Sequence, residues 1–294
     1  SSIKKAFNNN PKYIFKKNIK YKKVEELLEK YNLPLIPVID EDLHPVEFFN
    51  KKNLSGRSKN KINNNKVDVP VVIMAGGKGT RLKPFSQVLP KPLIPINDKT
   101  LIEHIINKFN IYGVNKFILT INYKSKIIQS FFSELNKDYK IQFIREEKEL
   151  GTAGGLSLIN KELNKPFFVT NCDTIINEDY SKIYNFHLKE KNHITIVAAM
   201  KKYVIPFGIC EVDKKGLLKK ITEKPSSNYL VNTGMYVVNK EVIKLIPKNK
   251  KINFTDLVVK CTKMKKKISI YPIVEDSWID VGQWPEYKKS VELL

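Results

Sequence analysis

The chain has 294 residues, a formal net charge of +22 at pH 7 and a pI near 9.6. That length holds one large domain and a small companion, and the lack of any apolar run of about 18 residues argues against a membrane-spanning helix. The excess lysines are spread over helix faces and loops, which reads first as compositional drift and second as a match to phosphate-rich small molecules; they are not gathered beside a nucleic-acid motif, so nucleic acid is not expected.

Residues 1–20 are polar, basic and Asn-rich, and read as poorly ordered. They have no apolar core of the signal-peptide kind. Ser1 stands where an initiator Met is usual, which fits a processed or truncated chain. In residues 24–31, Val24, Leu27, Leu28 and Tyr31 fall at helical spacing. Residues 35–39 read as a short strand, Asp40-Glu41-Asp42 as a turn, and 46–49 as a second strand. This order, with Leu35-Ile36-Pro37-Val38-Ile39-Asp40-Glu41-Asp42, resembles the end of a CBS domain, although His44-Pro45 replace the glycine usual after the turn. Residues 1–50 are therefore expected to be a partial CBS-like segment, too short to bury a core of its own. Residues 51–66 are almost free of apolar side chains and read as a linker.

The main domain is expected over residues 67–294. Four apolar residues, 71–74, run straight into Ala75-Gly76-Gly77-Lys78-Gly79-Thr80-Arg81. An apolar run ending in a Gly-rich turn reads as a buried parallel strand followed by a loop. Such a loop lets backbone N–H groups close on an anion. Arg81 and Lys91 add positive charge, which makes this a polyphosphate site at the carboxyl end of a strand. Neither common phosphate loop matches: GxxxxGK[ST] and GxGxxG are both absent.

Strands and helices then alternate. Helices are expected at 101–112, 124–136, 152–160 and 179–189, and strands at 116–122, 139–145, 167–171 and 193–200. That alternation implies a mostly parallel sheet with helices on both faces. After Pro206 the rhythm changes to shorter strands at 208–212, 217–222 and 234–238, with helices near 241–246 and 255–263. The three cysteines, Cys172, Cys210 and Cys261, lack disulfide or zinc spacing, which favours a cytoplasmic setting. His44, His104, His187 and His193 form no metal or triad pattern.

Asp173 follows directly on the strand 167–171 and would project from the carboxyl edge of the sheet. A hard cation binds one or two carboxylates plus phosphate oxygens; a lone Asp at a strand end is more often a helix cap or turn former. Glu223-Lys224, after the strand 217–222, reads by itself as an exposed ion pair in a turn.

The stretch 71–95, VVIMAGGKGTRLKPFSQVLPKPLIP, resembles the GGxGTRLxP…PKPLxP signature of the sugar-1-phosphate nucleotidyltransferases. Further motifs follow in order: Leu150-Gly151-Thr152-Ala153-Gly154, Cys172-Asp173, Glu223-Lys224-Pro225, Val231-Asn232-Thr233-Gly234 and Trp278-Ile279-Asp280-Val281-Gly282, with Phe207-Gly208 as a weaker match. The resemblance implies a Rossmann-like α/β/α sandwich of the nucleotide-diphospho-sugar transferase type, with a mixed, mostly parallel sheet. It implies the reaction of an NTP with a sugar 1-phosphate to an NDP-sugar and pyrophosphate. Ala75, Gly76, Gly77, Gly79, Thr80, Arg81, Glu146, Gly151 and Thr152 would bind the nucleotide. Gly208, Glu223, Lys224, Asn232 and Thr233 would bind the sugar phosphate, and Asp173 with Asp280 would hold Mg²⁺. Arg81, Lys91 and Asp173 would carry the chemistry. A sugar phosphate with a second pKa near 6 is mostly dianionic at neutral pH, so no general base is needed.

In the family the residue at Glu146 reads the base edge. Guanine presents two adjacent N–H donors, which an acceptor-only carboxylate fits. GTP is thus expected; for the sugar the resemblance implies a mannose or glucosamine type, with heptose open as well. A thymidylyl- or uridylyltransferase of the same family and a CBS-type nucleotide sensor stay open, as does a homo-oligomer. A related glycosyltransferase would show Asp-x-Asp, which Asp173-Thr174-Ile175 does not.

Overall fold

The computed structural model describes residues 12–19, 21–31, 33–50, 66–159 and 163–293. Residues 1–11 and 51–65, which take in most of the expected disordered start and linker, lie outside that set. The chain separates into two compact units, Ser1–Asn64 and Asn65–Leu294.

In the first unit, strands β1 (Ile14–Phe15), β2 (Ile36–Ile39) and β3 (Pro45–Phe49) form one sheet in that order, with a helix at Tyr21–Lys30. The sequence reading denied this segment a core, yet Val24, Leu28, Ile36, Val38 and Phe49 bury against one another. Val24 and Leu28 lie one helical turn apart, so a single apolar stripe closes over the inward side chains of β2 and β3.

In the second unit the strands are β4 (Val71–Met74), β5 (Pro95–Ile96), β6 (Lys99–Thr100), β7 (Lys116–Ile121), β8 (Lys140–Arg145), β9 (Phe167–Asn171), β10 (Thr174–Ile176), β11 (Ile194–Val204), β12 (Ile209–Val212), β13 (Leu218–Thr222), β14 (Ser226–Val238), β15 (Ile268–Val274) and β16 (Trp278–Asp280). Seven form the central sheet in the order β15-β11-β14-β9-β4-β7-β8. All pairings in it are parallel except those of β14, which runs antiparallel to both neighbours.

Every side chain of β4 is buried. With period two, Val71 and Ile73 join the core that holds Ile105, Phe109, Ile128 and Tyr180. Val72 and Met74 join the core on the other face with Leu156, Val242 and Leu257. Each such side chain stabilises by roughly 1.5–3 kcal/mol. The helix Leu101–Asn110 starts at a capping box of Thr100 and Glu103, and its apolar stripe of Ile102, Ile105, Ile106 and Phe109 faces the sheet. This is the layered, mostly parallel architecture expected from the alternation.

Besides the short strands β1, β5, β6, β10 and β16 and the helix Trp284–Leu293, which were not expected, three elements depart from expectation. The helix expected at 152–160 is one α-turn, Gly151–Gly154, continued as a 3-10 turn, Gly155–Leu158, with residue 160 outside the described set. Glycines at 151, 154 and 155 lower helix propensity and let this turn press against residues 250–252: a Cβ at Gly151 would meet the Ile252 carbonyl oxygen at 2.6 Å. The strand expected at 234–238 begins at Ser226, because β14 continues past β9 as a ribbon paired with β11. Strand β15 was not expected. Among the described residues it pairs only with β11, at the margin of the sheet, where its Pro272 is tolerated.

Candidate active site

The site forms where the parallel strands end. Ala75 continues β4, its N–H donating to the Thr120 carbonyl at 2.9 Å. The chain then opens into Gly76 to Gly79. Gly77 has nothing within 4 Å of a built Cβ, so this side of the loop faces open space. Gly79 has φ of +64° and a Cβ there would lie 2.9 Å from Lys91 Cβ. The left-handed turn thus needs glycine both for its backbone and for room beside Lys91. Thr80 and Arg81, both exposed, begin the short helical turn that follows.

Lys91 starts the buried turn Lys91–Leu93, and its Nζ donates to Oδ2 of Asp173. Burial lowers the Lys91 pKa and Arg81 adds to that, but Asp173 and Cys172 alongside together outweigh them and hold the ammonium above its ordinary value. Asp173 sits between β9 and β10. Strand β10 pairs antiparallel with β16, in a register that sets Thr174 opposite Asp280. The two aspartates, far apart in sequence, are therefore brought together by one three-residue ladder.

Gly282 shows how closely these side chains converge. A Cβ on it would lie 2.9 Å from Asp280 Oδ1, 3.1 Å from Asp173 Oδ2 and 3.4 Å from Arg81 Nη2. The Gly282 N–H donates to Asp280 Oδ1 at 2.8 Å. Burial, then the like charge of Asp173, raises the Asp280 pKa, against the Gly282 N–H, Lys91 and Arg81. Two carboxylates held this close repel, and Lys91 and Arg81 offset that only in part, since the Asp280 pKa stays raised. An oxygen donor set of this kind fits a hard divalent ion.

A cleft of about 280 Å³ opens over this cluster, lined by Arg81, Asp173 and Asp280 together with Thr152, Asn232 and Thr233 from the sequence-derived set. Sequence reasoning missed its far wall. Tyr236 and Phe254 stack with ring centroids 3.6 Å apart, and Asn171 and Trp278 line the cleft as well. Asn253 and Asp256 form a capping box at the start of the helix that carries Phe254, and nothing local in the chain ties that helix to Tyr236. A second cavity, of about 200 Å³, lies by Val67, Val69, Lys165 and Tyr184 at the amino-terminal ends of β4 and β9 and holds none of these groups.

The other candidates fall in different places. Glu146 is 4% exposed. Its Oε2 accepts from the Leu150 N–H at 3.2 Å. Its carboxylate lies between two glycines: a Cβ would sit 3.3 Å from Oε2 at Gly76 and 2.4 Å from Oε1 at Gly155. Burial raises its pKa, and the Leu150 N–H and Thr120 hydroxyl oppose that. Thr152 Oγ1 accepts from the Phe254 N–H at 2.9 Å. Asn232 is engaged within the protein, accepting from the Gly234 N–H at 3.0 Å and donating to the Tyr236 hydroxyl at 2.8 Å. Thr233 donates to the Val197 carbonyl at 2.8 Å. Gly208, Glu223 and Lys224 are not among the residues lining the cleft. They sit together at the open end of the exposed β12–β13 hairpin, where a Cβ on Gly208 would lie 3.0 Å from Glu223 Oε2.

Residues 70–293 match the nucleotidyl transferase family model. Mannose-1-phosphate guanyltransferase 2 of Candida glabrata is 33% identical over 222 residues, covering 72% of this chain and 61% of that protein. The mannose-1-phosphate guanyltransferase of Saccharomyces cerevisiae is 32% identical over 235 residues, 76% of this chain and 63% of that protein. The chain thus spans about three fifths of these curated relatives. Among solved structures, HddC from Yersinia pseudotuberculosis matches with a TM-score of 0.61 at 28% identity, over 76% of this chain and 99% of that one. The same protein has also been solved as a complex with GMP-PN.

Proposed function

The chain belongs to the nucleotidyl transferase family, and on that premise we propose that it makes an NDP-sugar and pyrophosphate from a nucleoside triphosphate and a sugar 1-phosphate. The fold is that of the nucleotide-diphospho-sugar transferases. The observation that carries the reading is the convergence of Asp173, Asp280 and Arg81 around Gly282, beside the Gly-rich loop.

In this reaction a sugar-phosphate oxygen attacks the α-phosphorus, the bond to the bridging oxygen breaks, and pyrophosphate leaves with that electron pair. Alignment of two polyanions and neutralisation of their charge are the main tasks. The N–H groups of the loop from Ala75 to Thr80, with Arg81, would hold the departing phosphates. Lys91, kept charged by Asp173, would hold the α-phosphate or the nucleophile. Asp173 and Asp280 would hold a divalent ion, for which Mg²⁺ is our reading. When bound, it supplies further positive charge to the phosphate oxygens. Lys224 and Glu223 would reach the sugar phosphate from the hairpin.

For the base we propose guanine. The relatives named above support it, as does Glu146, whose carboxylate borders Gly76 of the nucleotide loop. For the sugar we propose a mannose or glucosamine type. We keep the CBS-like reading of residues 1–50, supported by the order helix, β2, turn, β3. A cytoplasmic setting is supported by three free cysteines. The decisive experiment is a screen of NTP and sugar 1-phosphate pairs for pyrophosphate release. Release from GTP with a hexose 1-phosphate is expected, and a preference for dTTP or UTP would overturn the choice of base.

A further inference from the structure

Lys91 lies in the middle of a segment, residues 83–95, that cannot set its own shape. Its regular pieces are Phe85–Val88 and Lys91–Leu93, four and three residues long. Helical turns that short are not stable by themselves. Two outside elements hold the segment. From one side Lys124 donates to the carbonyls of Gln87 and Val88, the latter at 2.7 Å. From the other, the helix Trp284–Leu293 lies along it.

That helix grips the segment at both ends. The Trp284 indole N–H donates to the Lys83 carbonyl at 2.7 Å. The Tyr287 hydroxyl donates to the Pro95 carbonyl at 2.8 Å. Beyond these, Asn97 Nδ2 donates to the Val291 carbonyl at 3.1 Å. The Phe85 ring packs on both aromatics, with centroids 5.1 Å from Trp284 and 5.9 Å from Tyr287. The grip thus falls just after Arg81 and on the far side of Lys91. The helix itself opens just past Asp280.

We infer that Trp284 and Tyr287 are positioning residues that fix the segment 83–95 so that Lys91 meets Asp173 in one arrangement. Neither touches the cleft, and both act through backbone carbonyls. One helix face thereby couples the cation-bearing segment to the strand that carries Asp280. The catalytic consequence rests on the transfer reaction proposed above.

The test is a double-mutant cycle in the full chain, pairing Trp284→Ala with Lys91→Met. With pyrophosphate release as readout, Trp284→Ala should lower kcat by about 10-fold or more, with little change in KM for the sugar phosphate. In the Lys91→Met background the same change should cost under about 2-fold, because the group it positions is gone. Trp284→Phe and Tyr287→Phe, which delete one hydrogen bond each, should give roughly 2- to 10-fold losses with the same dependence on Lys91. Losses equal in both backgrounds would mean a structural role only and overturn the inference. The same cycle read by urea unfolding needs no catalysis: coupling of at least about 3-fold in the unfolding constant is expected, and additive effects overturn the inference. A wild type that unfolds with this coupling yet releases no pyrophosphate from any substrate pair would sink the transfer reading and leave the positioning standing.

Discussion

The backbone N–H of Val281 donates to the carbonyl oxygen of Asp173 at 2.9 Å. This bond continues the β10–β16 ladder by one step and locks the two aspartates side by side. Their spacing is set by main-chain hydrogen bonds, so side-chain substitutions can test their chemistry without dismantling the frame.

Asp280→Asn should reduce pyrophosphate release by at least about 100-fold with far-UV circular dichroism unchanged, and Asp173→Asn should do the same when assayed at a temperature where it remains folded. Gly282→Ala should do comparable damage while keeping both carboxylates, because its Cβ would press on Asp280, Asp173 and Arg81 together. If Gly282→Ala retains wild-type kcat, the convergence is not the reacting centre.

The Lys91 and Asp173 side chains are 11% and 12% exposed. Removing one member of so buried a pair leaves an uncompensated charge, at a cost of about 3–5 kcal/mol. Lys91→Met and Asp173→Asn should each lower the urea midpoint strongly, and the double variant should be more stable than their sum predicts. Additive losses would show that the two charges are screened from one another.

Burial and the neighbouring Asp173 raise the Asp280 carboxyl above its ordinary 3.8. The native state therefore holds that proton more tightly than the unfolded chain does. This group destabilises least below about pH 4, and its penalty grows as pH rises through the native value. In EDTA, Asp280→Asn should melt no higher than wild type near pH 4 but higher than wild type at pH 7. A divalent ion should erase that advantage by stabilising only the wild type. An advantage that shrinks with rising pH contradicts the sign.

Gly155 leaves the space that the Glu146 carboxylate fills. Gly155→Ala should displace Glu146 and raise KM for GTP by about 10-fold while leaving KM for the sugar phosphate within about 2-fold. Glu146→Gln should lower kcat/KM for GTP by roughly 5- to 150-fold and narrow its lead over dTTP. A GTP to dTTP ratio that moves with neither substitution removes Glu146 as the base reader.

All the site residues lie in the unit from Asn65 onward, whose two cores share no residue with the small one around Val24 and Phe49. A chain starting at Lys66 should therefore keep kcat within about 2-fold at saturating substrates. A folded but inactive chain of that length would show that the first unit contributes to the chemistry.

The sequence alone determined what depends on near neighbours. The four apolar residues of β4 and the glycines after them spell a buried strand and an open turn, and the alternation of periods two and 3.6 spells a layered α/β fold. Residue type and motif marked Arg81, Lys91, Asp173 and Asp280 as candidates. Only the tertiary structure decided which of these groups meet. The β10–β16 register placed Asp280 beside Asp173, and the turn at Lys91 delivered its ammonium to that carboxylate. The same packing closed Asn232 onto Tyr236, sank Glu146 between two glycines, and set Tyr236 on Phe254. Propensity and turn chemistry act over a few residues, so they leave a mark in the local sequence. Cross-strand register and core packing join residues with no neighbourhood in the chain, and their energy is defined only once the strands are in place.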